Sequence, residues 1–235
     1  MTYIEMQNLL KGKGIIVSDG EISKMDEYLH LLLEWNERFN LTSITNKEDA
    51  IEKHFYDSLL ASDPNMLKKG VTVADLGTGA GFPGIVWAIV YPESSFTLVE
   101  ATKKKCSFLE EVVKVLNIPN VKVINSRIEE LPSSFKESFD IVTARALAEL
   151  RILLELSIPL LKVHGTFIAM KGFQAKEELD RAEHALKVLN ITNIDIRHAS
   201  LPNFDGERNN IYLTKGKKTD KRYPRKYADM LKKPL

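Results

Sequence analysis

Residues 71–84, V-T-V-A-D-L-G-T-G-A-G-F-P-G, constrain the fold of this chain more than any other stretch. The first half is an apolar run of buried-strand character. The second half carries four glycines in eight residues, Gly77, Gly79, Gly81 and Gly84. A strand that runs into such a turn lets a ligand lie against the main chain with no Cβ in the way. Asp75 falls at the carboxyl end of the strand, where open α/β sheets bind their ligands. The stretch therefore reads as a nucleotide-type cofactor turn, with Asp75, Gly77 and Gly79 as candidate binding residues.

The pattern alternates from there on. Apolar, β-branched runs at 71–74, 96–99, 121–124, 141–143 and 166–170 are separated by helical stretches at 83–90, 104–116, 128–131 and 150–161. Alternation of this kind predicts a parallel sheet with helices on both faces. An amphipathic helix over 175–189 leads into two more strand-like runs, 191–199 and 210–214. Asp205-Gly206 between them is a hairpin signal, so these two runs are expected to be antiparallel neighbours. The fold class is α/β, with a seven-stranded, mostly parallel sheet whose last strand is antiparallel.

Before the sheet the chain reads as helical. Met25, Leu29, Leu32, Leu33, Trp35 and Phe39 recur at three- and four-residue steps, and Asn40 is a stop. A second helix is expected from Asn46, an N-cap with Asp49 three residues on, through Ile51, Phe55 and Leu59 to the Ser62-Asp63-Pro64 breaker. His54 and Asp57 lie three apart there, either as a local ion pair or as a polar face turned toward the cofactor pocket. Three segments result: an N-terminal helical extension (1–64), a cofactor-binding domain (65–214) and a basic C-terminal tail (215–235).

The tail stands out by charge. It holds nine basic side chains against two acidic ones, +7, and leaves the rest of a chain of net charge +1 at −6. Such tails meet phosphate backbones or simply solubilise an end. The chain has no run of eighteen apolar residues and no basic n-region followed by an apolar h-region, so neither a membrane span nor a secretory signal is expected, and the cytoplasm is the default. Cys106, alone, allows no internal disulfide and no thiolate metal site. It opens a helix among lysines, which could lower its pKa, but packing is the simpler role.

Read as G-x-G-x-x-G, the residues Gly79, Gly81 and Gly84 fit a dinucleotide loop, so a nicotinamide or flavin enzyme must be weighed. Two residues oppose it. A carboxylate at Asp75, roughly 4 to 6 Å from a diphosphate, would cost on the order of 3 to 4 kcal/mol at an effective dielectric near 20. Pro83, in the first turn of the helix, removes an amide donor. S-adenosylmethionine has no phosphate and carries two cationic groups, which makes Asp75 an asset. Glu100, 25 residues after Asp75 and at the end of the next strand, can accept both ribose hydroxyls. NAD presents a ribose there too, so Glu100 alone does not discriminate; the combination with D-L-G-T-G-A-G favours the methyl donor.

D-L-G-T-G-A-G-F-P-G, W-N-E-R-F-N-L-T (35–42), H-F-Y-D-S-L (54–59), T-A-R-A (143–146) and M-K-G (170–172) together resemble the bacterial glucose-inhibited division protein B family over nearly the whole chain. The resemblance implies a Rossmann-like class I methyltransferase that modifies ring nitrogen 7 of a guanine in small-subunit (16S) ribosomal RNA. It also implies donor contacts from Gly77, Phe82, Glu100, Ala101, Thr102, Ile128, Glu129 and Arg145. In the tail, Y-P-R-K and K-x-P-L fit the family, whereas Y-A-D-M departs from its more usual A-G-T-P and leaves the tail's conformation open. The partners implied are 16S ribosomal RNA or the small ribosomal subunit, with the tail on phosphates, Arg145 and Lys171 as rim residues, and Arg197 and Arg208 as further rim cations. A monomer is the default. No catalytic acid or base and no metal are expected, because this nitrogen carries a free lone pair. A non-enzymatic RNA- or ribosome-binding module with the same fold, and a dehydrogenase, are the alternatives.

Overall fold

The computed structural model describes residues 1–235 and places the strands and helices after residue 71 in the expected alternation. The strands are β1 (Thr72–Leu76), β2 (Ser95–Glu100), β3 (Val121–Asn125), β4 (Phe139–Arg145), β5 (Leu161–Lys171), β6 (Ile191–Leu201) and β7 (Phe204–Lys215). They form one sheet in the order β3-β2-β1-β4-β5-β7-β6. The pairs β2–β3, β1–β4 and β4–β5 are parallel, and β7 runs antiparallel to both β5 and β6. The strand order reverses after β1, the topology of a doubly wound, Rossmann-like sheet.

Two compact units make up the chain, one of residues 1–71 and 78–125, the other of residues 72–77 and 126–235. In the first, α1 (Tyr3–Lys11) and α2 (Asp19–Phe39) both open on capping boxes, Thr2 with Glu5 and Ser18 with Glu21. Asn40 closes α2 in the left-handed conformation at φ 49°, as the sequence predicts. Asn46 caps α3 (Lys47–Ala50) by accepting the Asp49 amide at 3.0 Å. The regular helix expected to follow is interrupted: a π-helical turn over Ile51–Tyr56 joins α3 to α4 (Asp57–Leu60). Ile51, Glu52, His54, Phe55 and Tyr56 are all buried, more side chains than one α-helical face could hide, and the wider turn accommodates them.

The core of this unit is aromatic. Tyr28, from the apolar face of α2, lies 5.7 Å from Phe55, 5.2 Å from Phe82 and 6.3 Å from Phe108, ring centre to ring centre. Helix α5 (Gly84–Val90) is buried along its whole length and its Trp87 indole donates to the Ser58 carbonyl at 2.7 Å. Pro83 is the N-cap of α5 rather than a residue of its first turn. Helix α6 (Lys103–Val115) completes the unit and packs Phe108, Leu109 and Val112 inward.

In the second unit α7 (Leu150–Ser157) covers β4 and β5. The single helix expected over 175–189 is two, α8 (Ala175–Arg181) and α9 (Glu183–Val188), broken at Ala182. The β6–β7 hairpin turns at Pro202-Asn203, with Leu201 opposite Phe204, and not at Asp205-Gly206, which lie inside β7. Proline presets the dihedral of a turn's second residue and cannot donate to a ladder, which puts the turn there.

The tail is not a free end. Lys215 is fully buried, and its ammonium meets Glu137 Oε1 at 3.1 Å and the carbonyls of Ile158 and Leu161 at 3.0 and 2.7 Å. Burial lowers its pKa and Glu137 partly restores it. Arg225 forks onto the buried Glu155 with 2.7 and 2.5 Å contacts, Tyr223 and Met230 are buried, and residues 227–232 form α10 (Tyr227–Lys232). Lys217, Lys218, Lys221, Arg222, Lys226, Lys232 and Lys233 remain exposed.

Candidate functional site

Within the first unit the glycine loop and the end of β2 are joined by one side chain. Glu100, only 6% exposed, accepts the Gly79 amide at 3.1 Å with Oε2 and the Thr102 amide at 2.8 Å with Oε1. Thr102 is the N-cap of α6, and Ala101 and Thr102 are exposed. Asn125, level with Glu100 on the neighbouring strand, donates to the carbonyls of Glu100 and Ala101 at 3.0 Å each. A carboxylate has about four acceptor positions, so two remain for hydroxyl groups beside the two that the amides use.

The loop's own amides are largely consumed. Thr78 donates to Val99, Gly79 to Glu100, and Gly81 and Phe82 to Thr78, while Pro83 has no N–H. A phosphate-cradling loop needs such amides pointing outward. The turn therefore suits a ligand held by its hydroxyls and by van der Waals contact rather than a diphosphate. Gly81 holds φ at 102°, and a Cβ there would sit 2.6 Å from both Ile85 Cγ1 and the Tyr28 hydroxyl, which donates to the Ala80 carbonyl.

Phe82 is buried, and the His54 ring stacks on it at 4.3 Å and 14°. His54 Nε2 lies 3.0 Å from the Thr42 hydroxyl, and Thr42 donates its amide to Asn36 Oδ1 at 2.9 Å. Asn36, Thr42 and His54 of the two upstream motifs thus form a chain that ends on Phe82 of the glycine loop. Cys106 is a packing residue: burial raises its pKa, and its thiol donates to the Glu100 carbonyl at 3.3 Å.

In the second unit Asp75, next to last in β1, is almost fully buried and level with Thr143 of β4. Gly77 has φ 63°, and a Cβ there would lie 2.6 Å from the side chain of Leu147. Ile128 is buried and Glu129 half-buried in a 3₁₀ turn after β3, with Arg127 3.9 Å from Glu129. Pro224 to Tyr227 of the tail line a cleft with Arg127, Glu129 and Glu130. Arg145 closes β4, half-buried and level with Met170.

Lys171, expected as a rim cation, is largely enclosed and paired. Its side chain is 10% exposed and ties to Glu178 and to the Ala148 carbonyl, each at 2.7 Å. Arg197 is also engaged, with Asp195 at 2.9 Å and over the Tyr212 ring at 4.0 Å, and Arg208 reaches the Glu207 carbonyl. Asn125 and Leu147 were not foreseen. A strand-end Asn in register with Glu100 is a legible signal; nothing in the sequence marks Leu147. No helix is long and apolar enough to cross a membrane.

Comparison with known proteins shows the family. The family model GidB, described as rRNA small subunit methyltransferase G, matches residues 21–230. The chain is 42% identical over 237 residues to the ribosomal RNA small subunit methyltransferase G of Halalkalibacterium halodurans, covering all of both chains. It is 41% identical to the protein of that name from Oceanobacillus iheyensis, covering 96% of each. Among solved structures, M. jannaschii TYW2 in complex with AdoMet matches with a TM-score of 0.56 at 15% identity, over 73% of this chain and 78% of that one, a likeness of fold. This chain belongs to the GidB family of small-subunit ribosomal RNA methyltransferases.

Proposed function

We propose that the chain transfers a methyl group from S-adenosylmethionine to ring nitrogen 7 of a guanine in 16S ribosomal RNA. The observation that carries this reading is the Glu100 carboxylate, buried and with acceptor capacity left over, beside a glycine loop that has turned its amides inward. That pairing suits a ribose attached to a cation and disfavours a diphosphate, which sets aside the dehydrogenase.

The donor supplies an electrophilic methyl on a sulfonium. In this reading Asp75, Gly77, Gly79, Phe82, Glu100, Ala101, Thr102, Ile128, Glu129 and Arg145 hold it. Glu100 accepts its ribose hydroxyls, Ile128 and Glu129 meet its adenine, and Asp75 compensates its positive charge. Arg145 meets its carboxylate or the target base. Guanine nitrogen 7 attacks with a lone pair and loses no proton, so no residue need serve as general base. The chain contributes alignment, which can supply several kcal/mol of a barrier, and acceptors for the charge that develops on the base.

The exposed basic groups of 217–233 contact phosphates on the small subunit, and the target guanine is an unpaired base that can be splayed out. The enzyme acts in the cytoplasm as a monomer. Calorimetry with S-adenosylmethionine and with NAD, followed by incubation with methyl-labelled donor and small subunits, tests this. Donor binding and label in RNA are expected. Binding of NAD instead, or label in protein, would overturn it.

A further inference from the structure

The Lys171 ammonium lies 2.7 Å from Glu178 Oε2, and the same oxygen accepts the amide of Leu150, the first residue of α7, at 2.7 Å. Lys171 also donates to the Ala148 carbonyl at 2.7 Å. With side chains 10% and 13% exposed, this ion pair joins three segments: the end of β5, helix α8 and the 146–149 loop that leaves β4 directly after Arg145. The loop is not a relaxed one. Ala146 has φ 51°, and Leu147, 37% exposed, projects over Gly77, where a Cβ would come within 2.6 Å of it. Glu149 at its far end is held by Arg151 at 3.0 Å and Arg181 at 3.3 Å.

We infer that Lys171 and Glu178 are positioning residues for methyl transfer, which fix the 146–149 loop and so the placement of Arg145 and the seat of Leu147 over Gly77. Lys171 does not serve as a phosphate contact. An ammonium that satisfies a carboxylate and a carbonyl in a nearly enclosed site has little left to offer a solvent-facing backbone. Removal of either partner leaves an enclosed charge uncompensated and loosens the hold on the loop at Ala148 or at Leu150. The inference rests on the methyl-transfer reading, because the loop matters only if something must be aligned beside it.

The test compares the full-length protein with K171M, K171R, E178Q and K171M/E178Q, measuring kcat, KM for small subunits, donor affinity and the salt dependence of subunit binding. E178Q keeps an acceptor for the Leu150 amide and carries the test if K171M fails to fold. K171M and E178Q are each expected to lower kcat by about 10- to 100-fold, the scale of an ångström of misalignment. KM for the subunit and the salt slope stay near those of the unaltered protein, the double variant is no worse than the worse single one, and K171R keeps most of the activity. A raised KM and a salt slope shallower by about one in K171M, with E178Q unaffected, would make Lys171 a phosphate contact and overturn the inference. So would an unchanged kcat in both. Failure of the unaltered protein to methylate subunits would instead overturn the methyl-transfer reading, and this inference with it.

Discussion

Glu100 and Gly79 are joined by a hydrogen bond of 3.1 Å from the loop amide to the buried carboxylate, so the residue proposed to read the ribose also sets the shape of the turn. Glu100→Gln replaces one acceptor oxygen with a donor that must face the Gly79 or the Thr102 amide. Hydrogen bonds to charged groups contribute about 1.5–3 kcal/mol, so donor affinity is expected to fall about 10- to 100-fold. Calorimetry reads this directly, and unchanged affinity would remove Glu100 from the site.

Two glycines of the loop are expected to fail differently. Gly81→Ala must place a Cβ 2.6 Å from Ile85 and Tyr28 at φ 102°, and the combined backbone strain and overpacking should cost about 2 kcal/mol or more. Gly77→Val meets the Leu147 side chain rather than the core but also holds a β-branched residue at φ 63°, so some stability should be lost as well, while the sheet still forms and donor binding is lost. Urea midpoints and donor titrations distinguish the two. A stable Gly81→Ala, or a Gly77→Val that still binds donor, would show that the loop is misread.

The tail is expected to depend on Glu155, which is 1% exposed and neutralised by Arg225. Arg225→Ala leaves that carboxylate buried without its cation, a change that typically costs about 3–5 kcal/mol. It should also release the basic segment, detected as rapid proteolysis between residues 217 and 233 in an otherwise folded protein. Resistance equal to that of the unaltered protein would mean that the segment is held by its apolar anchors, Tyr223 and Met230, alone.

The acid limb of stability has an identifiable contributor in Asp140. Burial opposes its charge, but the Lys162 ammonium and the amide and hydroxyl of Thr72 outweigh that and hold its pKa below the ordinary 3.8. A carboxylate with a depressed folded pKa contributes stability that is fully present above the unfolded value and lost as pH falls through the folded one. Asp140→Asn should therefore be less stable at pH 6 and lose less between pH 4 and the folded pKa. Parallel acid limbs in the two proteins would contradict this.

How much of this the sequence disclosed follows from where each interaction is encoded. The sheet was legible because each strand is a local run of β-branched residues and each crossover a local helical one. Asp75 and Glu100 were legible because strand ends and glycine turns are local signals as well. The π-helical turn at Ile51–Tyr56 was not, since it answers to burial on several sides that spacing along the chain does not reveal. The roles of Lys215 and Arg225 were hidden for a related reason: their partners Glu137 and Glu155 lie 78 and 70 residues away, and a basic residue bound for a buried carboxylate looks in sequence like any other tail cation. The ion pair of Lys171 was hidden on the same ground, with Glu178 on α8 as its unseen partner.

The central claim is the identity of the methylated atom. Small subunits treated with the protein and methyl-labelled S-adenosylmethionine can be digested to nucleosides, and the label identified by chromatography against 7-methylguanosine. The RNA can also be cleaved by borohydride and aniline, which act where nitrogen 7 of a guanine is methylated. The label is expected to co-elute with 7-methylguanosine, and cleavage to fall at one guanine of 16S ribosomal RNA. Label in a pyrimidine or an adenine, or RNA that stays uncleaved despite incorporation, would contradict it.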